Sequence, residues 1–404
     1  MMAEWRRVLL GEVIELKRGY DLPTPTRKSG SIPVVSSSGV TGCHDEAKVQ
    51  APGVVIGRYG TLGQVFFIRE PFWPLNTALY VRDFKGNDPR FVAYALTTLN
   101  YQAAVDKAAV PGVNRNDLHR FPVLWPSLPV QRAIAHILGT LDDKIELNGQ
   151  MNETLEAIAR AIFKSWLVDF DPVRAKVAGR DPPGMDAETA ALFPDAFEES
   201  PLGKIPRGWG VASLDEVADF LNGLALQKFP PTGEGDLPVI KIAELRRGDT
   251  ARSDRANSHI PPGYVVDDGD VLFSWSGSLE VCIWTGGLGA LNQHLFKVTS
   301  RLYPKWFYYF WLKEYLPDFQ AIASGKATTM GHIQRHHLTE AKVLVPPSDL
   351  LARAGAAIGP MIEMRVSNKI EARTLAAIRD TLLPKLISGE ARIPDAGRVF
   401  ERVT

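Results

Sequence analysis

His332, His336 and His337 bring three imidazoles within six residues, and the i, i+4 step from His332 to His336 places two ring nitrogens on one helical face. A divalent cation is the chemistry such spacing serves. No carboxylate–His partner motif accompanies the cluster, so contact with a phosphate or a base, or a plain surface role, is the better expectation and no metal is assigned.

A second chemical candidate is Asp181-Pro-Pro-Gly184. Amino-group DNA methyltransferases hold a flipped base with Asp-Pro-Pro followed by an aromatic ring, and Gly184 stands where that ring is needed. No Gly-rich cofactor loop follows a strand elsewhere, and the chain carries no Walker loop, nucleophile elbow or paired-acid signature. The tetrapeptide also opens an acidic stretch: residues 180–200 carry one basic and six acidic side chains. A linker is expected there, and no catalytic residue is assigned.

Groups suited to reading nucleic acid are more plentiful. GRYGTLG offers Arg58, Tyr59 and Thr61, and SWSGSLE offers Ser274, Trp275 and Ser276, each at the end of an apolar run. Gly there suits close backbone approach to a ligand, and equally a tight structural turn. KAAVPGVNRNDL adds Lys107, Asn114 and Arg115, and SGKATTMGHIQRHHL adds Lys326, Thr328, His332, Gln334 and Arg335. Lys suits phosphate, whereas Arg and the amides of Asn and Gln match guanine and adenine edges.

These loops recur because the chain is written twice. Trp5, Leu10, Glu12 and Val13 match Trp209, Leu214, Glu216 and Val217; IPVV at 32–35 matches LPVI at 237–240. PGVVIGRYGTLG faces DGDVLFSWSGSL, setting Tyr59 against Trp275, and Asn76 follows as Asn292 does. Arg115 and Leu118 then match Arg335 and Leu338. Each copy reads as short β-branched runs broken by Gly and Pro, a helix opened by Pro89 or Pro304, and a return strand. An α+β globule results, twice over.

A long helix closes each copy. Leu147, Met151, Leu155, Ile158, Ile162 and Trp166 form one stripe at helical spacing, and Leu375, Ile378, Leu382 and Leu386 repeat it. A helix from Val130 to Val168 spans about 60 Å at 1.5 Å per residue, more than a compact domain requires. The reading is that the two stripes cover each other and hold the globules at a fixed distance, with Asn148 and Asn368 either in the seam, setting register, or facing solvent. Pro360 is expected to kink or interrupt the second helix.

The bulk composition agrees. Over 404 residues, 45% apolar and 23% charged, two or three domains are expected, and zero formal net charge confines any DNA-binding surface to a local patch. Cys43 and Cys282 lack disulfide or metal-ligand spacing, and no signal peptide or membrane span is apparent, so a cytoplasmic protein with reduced thiols is expected.

The stretches LPVQRAIAHILGTLDDKIELNGQMNETLEAIARAIFKSWLVDFDPVRAK (128–176), SPLGKIPRGWGVASLDEVA (200–218) and LLPKLISGE (382–390), with the duplication, strongly resemble the specificity subunit of Type I restriction-modification systems. The resemblance implies two target recognition domains, 1–128 and 207–348, each reading half of a split sequence in double-stranded DNA. It implies that helices 129–169 and 349–388 form an antiparallel coiled coil, with a linker at 170–206 and a tail at 389–404. Methyltransferase and endonuclease (translocase) subunits are then the partners, and S-adenosylmethionine, ATP and magnesium bind to them rather than to this chain. The competing readings are a self-contained methyltransferase or nuclease, and a duplicated DNA-binding scaffold unrelated to restriction.

Overall fold

The computed structural model describes residues 5–104, 112–325 and 331–391. It divides into two compact units, residues 1–145 with 375–404 and residues 146–374. The first long helix, Leu128–Phe163, thus gives its opening half to the first unit, and the second, Ser348–Ile387, gives its last turns to it.

In the first unit the strands Glu15–Arg18, Ala78–Asp83, Gly53–Gly57 and Val65–Ile68 form, in that order, an antiparallel sheet. A smaller sheet holds Gly39–His44, Ile32–Ser36 and Trp73–Pro74. Strand Trp5–Leu9 pairs with Pro122–Pro126, so the segment entering the domain lies against the one leaving it. Helix Pro89–Thr97 starts as its sequence dictates: Pro89 fills the first turn, and the Asp88 carboxylate accepts from Phe91 N at 2.9 Å.

The second unit repeats this plan. Asp219–Asn222, Leu295–Thr299, Val271–Ser274 and Val281–Ile283 form the antiparallel sheet, Arg255–Ala256, Leu237–Ile240, Gly289–Leu291 and Val265–Val266 a second one, and Gly210–Ser213 pairs with Lys342–Val345. The repeated Leu-x-Glu-Val is a short helix in both: Glu12 accepts from Leu9 N at 3.2 Å and Glu216 from Ser213 N at 2.6 Å, while Leu10, Val13, Leu214 and Val217 are buried. A carboxylate capping the first turn and two apolar residues below it explain the motif.

Segment 170–206, expected as a linker, is folded into the second unit. It forms helices Asp171–Val177 and Ala187–Ala191 and a hairpin of Phe197–Ser200 with Gly203–Pro206. Phe170, Val173, Phe193 and Ile205 are buried in the core beside Trp209, burial that outweighs the segment's acidic composition. Asp186 both caps the second of these helices and pairs with Arg353 at 2.5 Å.

The helix seams also differ from expectation. Leu147, Met151 and Ile158 are 49%, 37% and 44% exposed, and Leu155 is half-buried. The buried face of the first long helix in the second unit runs one residue later, through Asn148, Asn152, Ala159 and Phe163, continuing into Leu167 of the π-helical turn Lys164–Val168. Ile162 and Trp166 pack partly on that core, Trp166 edge-on to Phe193. Leu350, Ala354, Ile358 and Ile362 of the second helix share this core. Leu375, Leu382 and Leu386 are buried too, with Ile378 beside them, but in the first unit, where Ile134, Leu138 and Leu141 share their core. The partners run antiparallel: Asn148 meets Asn368, and further along the first helix Glu156 meets Arg365, earlier in the second. Residues matched in sequence therefore serve different cores: Ile162 packs on that of the second unit, and Leu382 lies in that of the first.

The second helix runs unbroken through Pro360. Ile358 and Ile362, buried on either side of this exposed proline, hold the helix against the core, and their burial offsets the roughly 3 kcal/mol that an interior proline costs.

Candidate nucleic-acid interface

In the first unit, strand Gly53–Gly57 delivers Arg58 and Tyr59 to the sheet's end. Arg58 N donates to Thr77 O at 3.2 Å, and its carbonyl accepts from Val113 N at 3.1 Å. The guanidinium lies 4.6 Å from the Tyr59 ring centroid, and Nε donates to Val113 O at 3.3 Å. The Thr61 hydroxyl donates to the Ser37 carbonyl, closing the turn. A side chain at Gly57 would strike the Thr61 carbonyl at 2.1 Å, so this glycine serves the turn.

Beyond Val113, Asn114 accepts from Asn116 N at 2.9 Å and caps helix Arg115–His119, with Arg115 exposed on its first turn. His119 Nε2 accepts from Leu16 N at 2.9 Å; burial, then the charge of Arg115, lowers its pKa, which suits that acceptor role. Helix and sheet are thereby tied together behind Arg115.

In the second unit Ser274 is buried, its hydroxyl donating to Ser278 O at 2.7 Å and accepting from Glu280 N at 2.7 Å. Its hydroxyl is thus taken up within the turn. Trp275 donates from Nε1 to Asn222 Oδ1 at 2.8 Å and packs against His294 and Phe296, each 6.0 Å away between ring centroids, with the His332 ring edge-on. Ser276, also buried, shares a 3.0 Å hydrogen bond with His294 Nδ1. Arg335 opens helix Arg335–Glu340 behind exposed Gln334; its guanidinium lies over the Phe296 ring and donates to Phe220 O at 3.2 Å.

Trp275, Ser276, His332 and Arg335 thus converge, and in the first unit Arg58 and Tyr59 meet Gly112 and Val113, which lead directly into Asn114 and Arg115. Lys107, Lys326 and Thr328 lie outside the described residues. His294, Asn222 and Phe296 were missed by the sequence reading; proximity to Asn292, the match of Asn76, was the available signal. Contrary to expectation, a carboxylate does accompany the histidines: His336, His337 and Glu340 each bring one ligand atom to within 4.8 Å of the others. His337 Nδ1 accepts from Gln334 N at 2.9 Å, a capping role, and His332 stands apart beside Ser276. No helix among the described residues is long and apolar enough to cross a membrane.

Two α+β domains of one plan, each gathering arginine, amide and aromatic groups at the end of its sheet, define a duplicated recognition protein. The chain belongs to the Type I restriction modification DNA specificity domain family, whose model matches residues 2–157 and again 206–350. It is similar to the Type I restriction enzyme HindI specificity subunit of Haemophilus influenzae, 29% identical over 317 residues covering 66% of this chain and 68% of that one. It is also similar to the MjaIX specificity subunit of Methanocaldococcus jannaschii, 26% identical over 294 residues covering 70% of this chain and 64% of the relative. Its fold is that of the Type I restriction-modification S subunit from M. genitalium, with a TM-score of 0.62 at 16% identity over 95% of this chain and 96% of the other.

Proposed function

We propose that this chain is the sequence-reading, non-catalytic subunit of a cytoplasmic Type I restriction-modification assembly. Each recognition domain reads one half of a split target in double-stranded DNA, and the long helices set the number of unspecified base pairs between the halves. The observation that carries this reading is that the family match falls twice, each time on a unit with its own set of converging side chains.

Modification and cleavage belong in this proposal to partners: methyltransferase subunits supplied with S-adenosylmethionine, and a translocating endonuclease subunit using ATP and magnesium. The exposed stripe Leu147, Met151 and Ile158 is where a methyltransferase subunit docks, since apolar groups at helical spacing left in water are suited to a partner's surface. Asp181-Pro-Pro-Gly184, without its aromatic ring, gives no support to a self-contained methyltransferase.

The test is to co-express the chain with the methyltransferase subunits of its host and map the modified bases. A two-part motif dependent on the chain is expected. Methylation by the purified chain alone, or an undivided motif, overturns the proposal.

A further inference from the structure

Main-chain hydrogen bonds give the two units the same cradle, and they align it differently from the sequence. In the first unit Tyr20 N donates to Pro74 O (2.8 Å), Asn76 N to Tyr20 O (3.0 Å), Ala78 N to Leu75 O (2.9 Å) and Arg58 N to Thr77 O (3.2 Å). In the second, Leu224 N donates to Leu291 O (2.9 Å), Gln293 N to Leu224 O (2.9 Å), Leu295 N to Asn292 O (2.9 Å) and Trp275 N to His294 O (3.4 Å). Strand register agrees, Ile56 pairing with Leu79 as Phe273 pairs with Phe296. Arg58 therefore corresponds to Trp275, Asn76 to Gln293 and Thr77 to His294, one residue away from the similarity that sets Asn76 against Asn292 and Tyr59 against Trp275.

A cradle held by main-chain groups fixes where its side chains project without restricting what they are. The side chains on this one differ between the units: Arg58, Asn76 and Thr77 against Trp275, Gln293 and His294. Two domains of one fold that read different half-sites need this combination of constant geometry and changed hydrogen-bonding groups.

In the second unit the cradle borders a cavity of about 500 Å³ whose wall is part polar, with Lys241, Arg255, Gln293 and His294, and part apolar, with Leu226, Pro230 and Val239. His294 is held by Ser276, and its ring lies tilted against Trp275. Among the described residues the half-buried Gln293 makes only a long, 3.5 Å side-chain contact to His294 Nε2, whereas Asn76 in the first unit is bound to the Asp21 carboxylate.

Resting on the reading of this chain as a DNA-recognition subunit, we propose that Gln293 is a specificity-determining residue of the second domain. Its side-chain amide pairs with the N6 and N7 edge of an adenine in the major groove. An amide supplies the one donor and one acceptor that this edge requires.

The test uses the full chain assembled with methyltransferase subunits, selecting bound duplexes from a pool randomised over both half-sites. Gln293→Ala is expected to lose about tenfold of the preference for A·T at one base pair of one half-site. The other half-site and the salt dependence stay unchanged, because no phosphate contact is lost. Gln293→Glu, of the same shape but accepting only, moves the preference at that position toward cytosine. A shift by neither variant at any single position, or a uniform loss across all sequences, overturns the inference while leaving the wild-type selectivity, and so the functional reading, intact. A wild-type assembly that selects no split sequence overturns both.

Discussion

The side-chain amide of Asn148 donates to the main-chain carbonyl of Asn368 at 3.3 Å and to the Glu371 carboxylate at 2.7 Å, while Asn368 in turn donates to Asn152 Oδ1 at 3.1 Å. Three asparagines buried between two antiparallel helices make the middle of this seam polar. Asn148→Asp sets a second carboxylate against Glu371 with little change in shape. Repulsion raises the folded-state pKa of the introduced acid, so the variant matches wild type below about pH 4 and loses stability as pH rises, on the order of 3 kcal/mol by pH 7. Urea unfolding at pH 4 and pH 7 measures it; equal midpoint differences from wild type at both pH values contradict it.

Pro360 sits exposed inside a continuous helix, lacking an amide hydrogen and contributing no core burial. Pro360→Ala restores that donor and removes the ring clash, and is expected to raise stability by about 1–3 kcal/mol. Chemical denaturation of the full chain shows this as a higher midpoint with an unchanged slope.

Arg90 holds Asp143 by paired hydrogen bonds, 2.8 Å from Nη2 to Oδ1, with Arg69 alongside, and these bonds lower the pKa of Asp143 to about 2. A depressed carboxylate contributes stability above its unfolded pKa near ~4, and that contribution disappears as pH falls toward the folded value. Asp143→Asn should therefore melt below wild type at pH 7, with the gap closing between about pH 4 and pH 2. A gap that persists at pH 2 argues against the pairing.

Cys43 is exposed, whereas burial pushes the Cys282 thiol up to about 12. At neutral pH a small maleimide should modify Cys43 alone, and mass spectrometry of the native and the urea-unfolded chain should show one adduct and two.

The sequence made the repeat legible wherever function within the fold is local. Leu10, Glu12 and Val13 could be matched with Leu214, Glu216 and Val217 because a capping carboxylate and two core residues are required at fixed spacing. The seam was harder to read, because Asn148, Asn152 and Ala159 present a weakly apolar face while Leu147, Met151 and Ile158 present a stronger one on the side left in water. Apolarity alone chose the wrong side by one residue, about 100° around the helix. Pro360 misled for a related reason: its cost is local, and the Ile358 and Ile362 burial that offsets it is not. The places of His294 and Gln293 follow from strand register and main-chain bonds, whereas side-chain similarity points to Asn292.

The ribbon of Trp5–Leu9 with Pro122–Pro126, and its counterpart of Gly210–Ser213 with Lys342–Val345, bring the way in and the way out of each domain side by side. The chain between them enters and leaves at one place, and inside it Arg90 grips Asp143 of the long helix while Asp88 N donates to Gln131. A crossover that replaced residues 10–121 as one block would keep the ribbon, and it would keep the domain seated on the helix beginning at Leu128 so long as the incoming block carried equivalents of Asp88 and Arg90, so a lineage could acquire a new half-site in one recombination event.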